Sequence, residues 1–359
     1  MMKGKKILRR SLVALIALLL GVTVVTGMTA SVRFTAKAEE PTYTQQELYQ
    51  EGYKLSVELE EDGSVLFQNE GNALPLGTDV QADLYGYMSY NIIHGGGGSG
   101  EGRWDSDCLQ EKAAFELAGL DVNDELWAWH GGANGGPGIK QESWVTDSGG
   151  DRVNQRTQDI PEVSVDDYRD ALDKGIAKPE SNVAVVTFGR QGFEGSEMPM
   201  SMADNYIDYD STRRGSADRT YLDPMETELE LLDFLKNEAK YDKIIVLINS
   251  ANVMTLGEYM EYSDALLWIG HPGEAGLVGV AEVLMGQDTT GKQISPGGRT
   301  ADTWMTDFYS SPVMYNNGGG CTYANLTTGG MGGGAQYNQY EEGIFMGYRW
   351  YETAYADKL

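Results

Sequence analysis

The segment NVAVVTFGRQGFEGSEM, residues 182–198, decides the fold. Its first part, residues 183–188, is a run of strand length that is rich in β-branched residues and typical of a parallel strand buried on both faces. Glycines and carboxylates follow at once. Because ligands in open α/β sheets bind beyond the carboxyl ends of the strands, we expect Arg190, Glu194 and Glu197 to leave the sheet where chemistry is usually placed. The pattern alone leaves open a solvated acidic loop.

Further apolar runs predict strands that alternate with helices. Candidate strands cover 82–87, 243–249 and 264–270, and candidate helices begin at the Thr44 capping box, Ser106, Ser164, the Asp223-Pro224-Met225-Glu226 cap and Gly273. This alternation requires βαβ crossovers and a parallel sheet covered on both faces. We therefore expect a doubly wound, mostly parallel, flavodoxin-like α/β sandwich. Residues 127–151 are aromatic, rich in glycine and weakly periodic, and are predicted to form a long loop.

A glycine-rich stretch, GGGGSGEG at residues 95–102, follows the first strand of this sandwich. Three of its glycines match the dinucleotide-binding pattern, whose first glycine should sit directly at the strand end. Gly95 lies several residues further on, and no Gly-Lys-Ser/Thr follows, so we reject both dinucleotide and phosphate-loop readings. Ser99 is not part of a nucleophile elbow either, because Glu101 stands where the second glycine is needed.

Charge and composition argue against several classes of function. The formal net charge of −27 repels nucleic acid. Two cysteines, Cys108 and Cys321, permit at most one disulfide and lack metal-site spacing. The three histidines are far apart in the chain, with no Cys or carboxylate at ligand spacing. We therefore expect neither a metal nor a cofactor.

The first 38 residues have the organisation of an export signal. A basic start precedes the apolar stretch 12–25, and Ala36-Lys37-Ala38 forms a small-residue cleavage site before Glu39. Cleavage would leave an amino terminus near Glu39. The alternative is an uncleaved anchor, since the uncharged stretch 12–32 is long enough to span a bilayer. Either reading makes the protein extracytoplasmic, secreted or membrane-anchored.

Several stretches together resemble glycoside hydrolase family 3. The segment GRQGFEG is similar to the family segment that carries the general acid/base in a Gly-Glu-Gly triplet. Here the triplet is Phe193-Glu194-Gly195, so the resemblance assigns the acid/base role to Glu194, although Phe193 departs from the usual glycine. The stretches GSVLFQNEGNALPL (63–76), VLINSANVM (246–254), IGHPGEAG (269–276) and SPGGRTADTW (295–304) resemble the same family in the same order.

The resemblance implies a divided active site. Retaining glycosidases need two carboxyl groups about 5 to 5.5 Å apart; in this family the nucleophile is an Asp on a separate (β/α)8 barrel, which this sequence does not contain. Ser99, Arg190 and Glu197 are the implied substrate-binding residues. A leader followed directly by this domain matches family members of inverted domain order. We therefore expect residues 39–359 to be an α/β domain, incomplete at its end, of an exported β-glucosidase-like enzyme.

Two further expectations complete this interpretation. The partners would be a β-glucoside or oligosaccharide and the missing barrel of the same polypeptide, without which the chain would be inactive. The alternative is a non-catalytic carbohydrate-binding module of the same fold.

Overall fold

A computed structural model describes residues 43–96, 108–139, 162–180, 182–192, 219–316, 321–327, 334–337 and 340–356. Three of the four predicted site residues, Ser99, Glu194 and Glu197, lie outside these ranges, as does the predicted leader at 1–38. The chain divides between Glu51 and Gly52 into two compact units, and the second contains the sheet.

A six-stranded sheet with the order β1-β6-β5-β4-β2-β3 forms the centre of the second unit. Its strands are β1 (Val65–Asn69), β2 (Gln81–Tyr85), β3 (Asp121–Val122), β4 (Asn182–Arg190), β5 (Ile244–Ser250) and β6 (Ala265–Trp268). All neighbours pair in parallel except the edge strand β1, which is antiparallel to β6. The five parallel strands follow the flavodoxin-like order, in which the first strand lies between the second and the third. The predicted fold class is confirmed. A separate antiparallel hairpin joins β7 (Cys321–Thr327) and β8 (Gly334–Tyr337).

Helices cover both faces of this sheet. The described helices are α1 (Gln45–Gly63), α2 (Tyr87–Tyr90), α3 (Glu111–Ala118), α4 (Asp124–His130), α5 (Val165–Asp173), α6 (Glu226–Asp233), α7 (Gly257–Tyr262), α8 (Gly276–Met285) and α9 (Tyr348–Ala354). Residues of α3 and α8 form the core on one face, with Tyr53 and Val57 of α1 packed against it. Residues of α4, α5, α6 and α7 form the core on the other face.

Strand β4 is central to both cores because all nine of its residues are buried. Val183 and Val185 belong to the core beneath α3 and α8, whereas Ala184, Val186 and Phe188 belong to the opposite core. Each large apolar side chain buried in this way contributes roughly 1.5–3 kcal/mol. Burial on both faces explains why the strand reads as a continuous apolar run rather than an alternating one.

The capping patterns in the sequence predict the start of some helices correctly and of others wrongly. The Thr44 capping box is confirmed, since the Thr44 backbone N–H donates to the Glu47 carboxylate at 2.7 Å and the Thr44 hydroxyl to the same oxygen at 2.8 Å. Ser164 caps α5 as predicted and accepts the N–H of Asp167 at 3.2 Å. The helix start predicted at Ser106 was wrong: residues 108–110 are described and are not helical, and α3 begins at Glu111 after the extended N-cap Gln110.

Two further local predictions were wrong. Residues 127–130 were expected to form a loop but belong to α4, whose N-cap Asn123 accepts the N–H groups of Glu125 and Leu126. This helix is too short to show a hydrophobic period. Helix α6 begins at Glu226 with Met225 as its cap, not Asp223.

Asp223 is engaged in the tertiary structure instead. Its carboxylate accepts the Thr220 N–H and the Thr255 hydroxyl, each at 2.7 Å.

Among the residues that the structure describes, no helix is both long and apolar enough to cross a membrane. The apolar stretch at 12–32 is not among them.

Candidate active site

The strand order creates a topological switch point between β2 and β4. The chain leaves β2 toward the β3 edge and later continues from β4 toward the β6 edge, and in sheets of this order ligands bind in a crevice beyond the carboxyl ends of two such strands. Tyr85 ends β2 and pairs with Val186, and β4 runs on to Arg190. The stretch with Ser99 follows β2, and the stretch with Glu194 follows β4. The two sequences that the resemblance singles out therefore emerge from the two strands that flank the crevice.

Arg190 ends β4, and its guanidinium is completely buried. Its two terminal nitrogens bond to the two carboxylate oxygens of Glu228 at 2.7 and 2.8 Å. The Nε–H donates to the Tyr221 carbonyl at 2.6 Å, and the remaining N–H groups donate to the carbonyls of Gly189 at 2.9 Å and Asp223 at 2.8 Å. All five N–H donors are thus engaged inside the protein. Direct substrate contact by Arg190 stays a prediction; its observed contacts order the end of β4.

Glu228 is the partner that makes this burial possible. Burial alone would lower the pKa of Arg190, but surrounding charges and hydrogen bonds, with Glu228 foremost, raise the pKa above its ordinary value. Glu228 also accepts the Tyr259 hydroxyl at 2.5 Å and the Met225 N–H at 2.8 Å. The Tyr221 hydroxyl accepts the N–H of Gln191 at 3.2 Å. The network therefore reaches the first residue beyond β4.

Sequence reasoning missed Glu228, although a local pattern could have revealed it. Leu231, Leu232 and Leu235 are buried at helical spacing after it, so Glu228 lies on the core-facing side of α6. A charged residue on the same helix face as the buried leucines predicts a buried ionic partner, because burying an isolated charge costs too much free energy.

Asn249, near the end of β5, ties two loops of the crevice together. Its side-chain oxygen accepts the Ile93 N–H at 2.7 Å, and its amide nitrogen donates to the carbonyls of Ile93 at 3.0 Å and Gly270 at 2.8 Å. The neighbouring Gly189 leaves room for this clamp, since an added Cβ would stand 2.9 Å from the Asn249 carbonyl oxygen and 3.2 Å from the Met88 methyl group. The loops after β2 and β6 are therefore held to the middle of the sheet edge.

Two buried glutamates support the same edge. Glu111, at the start of α3, accepts the Thr187 hydroxyl at 3.0 and 3.1 Å, and burial raises the pKa of Glu111 to about 8. Glu162 accepts the N–H groups of Tyr87 at 3.0 Å and Val163 at 2.8 Å, and burial raises the pKa of Glu162 to about 8 as well. The stability that these raised pKa values represent is present at acid pH. It is lost as the pH rises from the ordinary value toward 8.

His94 and His271 are far apart in the chain but lie close together in the fold. His94 and His271 lie close enough that His94, after burial, helps to lower the pKa of His271 to about 4. His94 Nδ1 lies 2.8 Å from the Gly273 carbonyl and must carry the proton of that bond, because a carbonyl only accepts. The buried His130 lies 3.1 Å from the Tyr168 hydroxyl. Within the described ranges no cluster of three or more His, Cys, Asp or Glu residues could hold a metal ion.

Comparison with known proteins identifies the family. Residues 64–348 match the Glycosyl hydrolase family 3 C-terminal domain. The chain belongs to glycoside hydrolase family 3. A β-glucosidase from Ruminococcus albus is 25% identical over 316 residues, which are 87% of this chain but 27% of that protein. The family 3 domain described here therefore spans about a quarter of that relative's length.

Solved structures share the fold of this family 3 domain. β-Glucosidase 3B from Thermotoga neapolitana, in complex with α-D-glucose, superposes with a TM-score of 0.58 at 21% identity, over 85% of this chain and 36% of that one. A β-glucosidase from Paenibacillus barengoltzii superposes with a TM-score of 0.56 at 21% identity, over 84% of this chain and 28% of that one.

We predict that Glu228→Gln destabilises the family 3 domain by about 3–5 kcal/mol, because it leaves the buried Arg190 charge uncompensated. The matched control is Glu238→Gln. Glu238 also binds an arginine through both oxygens, Arg169 at 2.8 and 2.6 Å, but its side chain is 44% exposed. Solvent screens that pair, so we expect little change. Urea unfolding followed by circular dichroism compares the two, and equal losses would contradict a special role for the buried pair.

Proposed function

We propose that this chain is the α/β domain of an exported, retaining β-glucosidase-like enzyme, in which Glu194 is the general acid/base. The observation that carries the proposal is the switch point. The stretches containing Ser99 and Glu194 follow β2 and β4, the two strands between which ligands bind in sheets of this order. The similarity to β-glucosidases, one of them solved with glucose, supports a β-linked glucoside as the substrate.

In this mechanism Glu194 acts twice. It first protonates the departing glycosidic oxygen while a second carboxylate forms the glycosyl intermediate, and it then activates the water that hydrolyses that intermediate. The second carboxylate belongs to a barrel elsewhere in the complete polypeptide. Ser99 and Glu197 would contact the sugar.

The described residues supply the support that this chemistry needs. The Arg190–Glu228 pair and Tyr221 hold Gln191, three residues before Glu194, and Asn249 holds Ile93, six residues before Ser99. A catalytic group must be held close to its productive position, and both proposed segments start from residues with buried partners.

We expect Glu194→Gln, in the complete enzyme, to reduce turnover of alkyl glucosides by about 10²–10⁴-fold and of nitrophenyl glucoside far less. The reason is that a basic leaving alcohol needs protonation and an acidic phenol does not. Glu197→Gln is the control, because this carboxylate lies three residues away and is proposed only to contact the sugar. Equal losses on both substrates would exclude Glu194 as the acid. A protein that binds glucosides but turns over neither would favour the non-catalytic module.

The chain from residue 39 to 359 alone should fold at least partly and yet hydrolyse no β-glucoside at a measurable rate. A single carboxylate can protonate a leaving oxygen, but it has no partner to form the intermediate. The purified fragment is assayed on nitrophenyl β-glucoside beside its Glu194→Ala variant. Activity above that variant would mean that the nucleophile lies within this chain, and the divided active site would be wrong.

Export belongs to the same proposal. Expression with the native leader should give secreted protein whose amino terminus, read by mass spectrometry, lies near Glu39, because the small-residue site precedes that residue. Protein that starts at Met1 and is extracted only by detergent would instead identify residues 12–32 as an anchor.

A further inference from the structure

The second half of α1 crosses α8 at two glycines. A Cβ added at Gly279 would stand 2.5 Å from the Val57 carbonyl oxygen and 3.2 Å from the Glu61 nitrogen. A Cβ added at Gly276 would stand 3.2 Å from the Glu60 Cβ. The helices are therefore in close contact, with no room for side chains between the α8 glycines and α1. Any change in charge at this crossing acts directly on the attachment of α1.

Two glutamates meet at the crossing. Glu61 on α1 is 8% exposed and Glu282 on α8 is 7% exposed. Glu282 follows Gly279 by one turn of α8, on the side where Gly279 meets the Glu61 backbone, so the two carboxyl groups face each other and interact. An ionised carboxylate has no proton to donate, so a hydrogen bond between two carboxyl groups requires that one of them be protonated. The two groups can bond across the contact between the helices only while one of them holds a proton.

The surroundings of this pair are predominantly acidic. Asp288, in the turn after α8, adds a negative charge, and the Lys292 ammonium lies 3.8 Å from Glu61. Glu60, on α1, accepts the Ser64 hydroxyl at 3.0 Å. One largely exposed cation therefore faces the three carboxyl groups of Glu61, Glu282 and Asp288. Full ionisation would place like charges against one another in a poorly solvated contact.

The direction of the pH effect follows from these surroundings. Burial, followed by the hydrogen bond and charge of Glu61, raises the pKa of Glu282 to about 8, and burial raises the pKa of Glu60 to about 7. Because both values lie above the ordinary carboxyl range, the attached state binds protons more tightly than the detached state. Attachment is strongest at acid pH and weakens as the pH rises from about 4.5 to about 8.

We propose that Glu61 and Glu282 form a pH-sensitive latch, which fastens α1 to α8 while the pair holds one proton and releases α1 when both carboxyl groups ionise. Glu111 and Glu162 are also buried, but their carboxylates accept hydrogen bonds from hydroxyl or backbone N–H groups rather than from another carboxyl group. The latch is independent of the proposed enzymatic activity.

Hydrogen exchange of the full 359-residue chain between pH 5 and pH 9 tests the latch. After correction for intrinsic exchange, the protection of amides 53–63 should fall by ~100-fold or more from pH 5 to pH 8, since each titrating carboxyl changes the opening equilibrium by up to ~10-fold per pH unit. Amides of β4 and β5 should lose much less protection. Glu282→Gln should retain most of the α1 protection at pH 8, because an amide donates to Glu61 without needing a shared proton.

Glu61→Gln removes the other half of the pair and should have the same effect, so it carries the test if Glu282→Gln does not fold. Glu111→Gln is the matched control: it removes a buried carboxyl with a pKa also raised to about 8 and should leave the pH dependence of α1 as in the wild type. The latch is overturned if wild-type α1 protection is the same at pH 5 and pH 8. It is also overturned if the Glu61 and Glu282 variants both follow the wild-type curve.

Discussion

The arrangement of the sheet edge depends on the ion pair between Arg190 and Glu228. Transfer of either charge from water into the protein interior would cost several kcal/mol, and the pair tolerates burial because every donor and both carboxylate oxygens are bonded. These bonds connect the last residue of β4 to the start of α6 and to the backbone at Tyr221. The position at which the chain leaves the central strand is therefore set by charge compensation as well as by sheet pairing.

The position of the candidate active site is set by the topology of the sheet more than by any single side chain. In a flavodoxin-like order, the first and third parallel strands are neighbours whose connections depart in opposite directions, and ligands of such sheets bind in the crevice at their carboxyl ends. Asn249 adds a local constraint, because one side chain bonds both Ile93 and Gly270. The loops after β2 and β6 are thereby fixed to the same edge as the end of β4.

Buried carboxyl groups are a recurring feature of this acidic chain. Glu111 and Glu162 lie beside the crevice and Glu282 lies on α8, and burial raises the pKa of each to about 8. A chain with a formal net charge of −27 thus keeps several protons at neutral pH in places where ionisation would be most costly. Each of these groups contributes stability that declines as the pH rises from the ordinary carboxyl range toward 8.

The sequence by itself determined four of the five parallel strands, five of the nine described helices and the family, because these depend on short-range periodicity and on stretches of characteristic residues. The apolar run 183–188 and the Ser164 cap are examples. Tertiary structure decided the partners of polar residues: Arg190 pairs with Glu228, 38 residues away, and Asn249 with Ile93, 156 residues away. The crossovers that bring such residues together are a property of the whole sheet, and local sequence carries no measure of the distance between them.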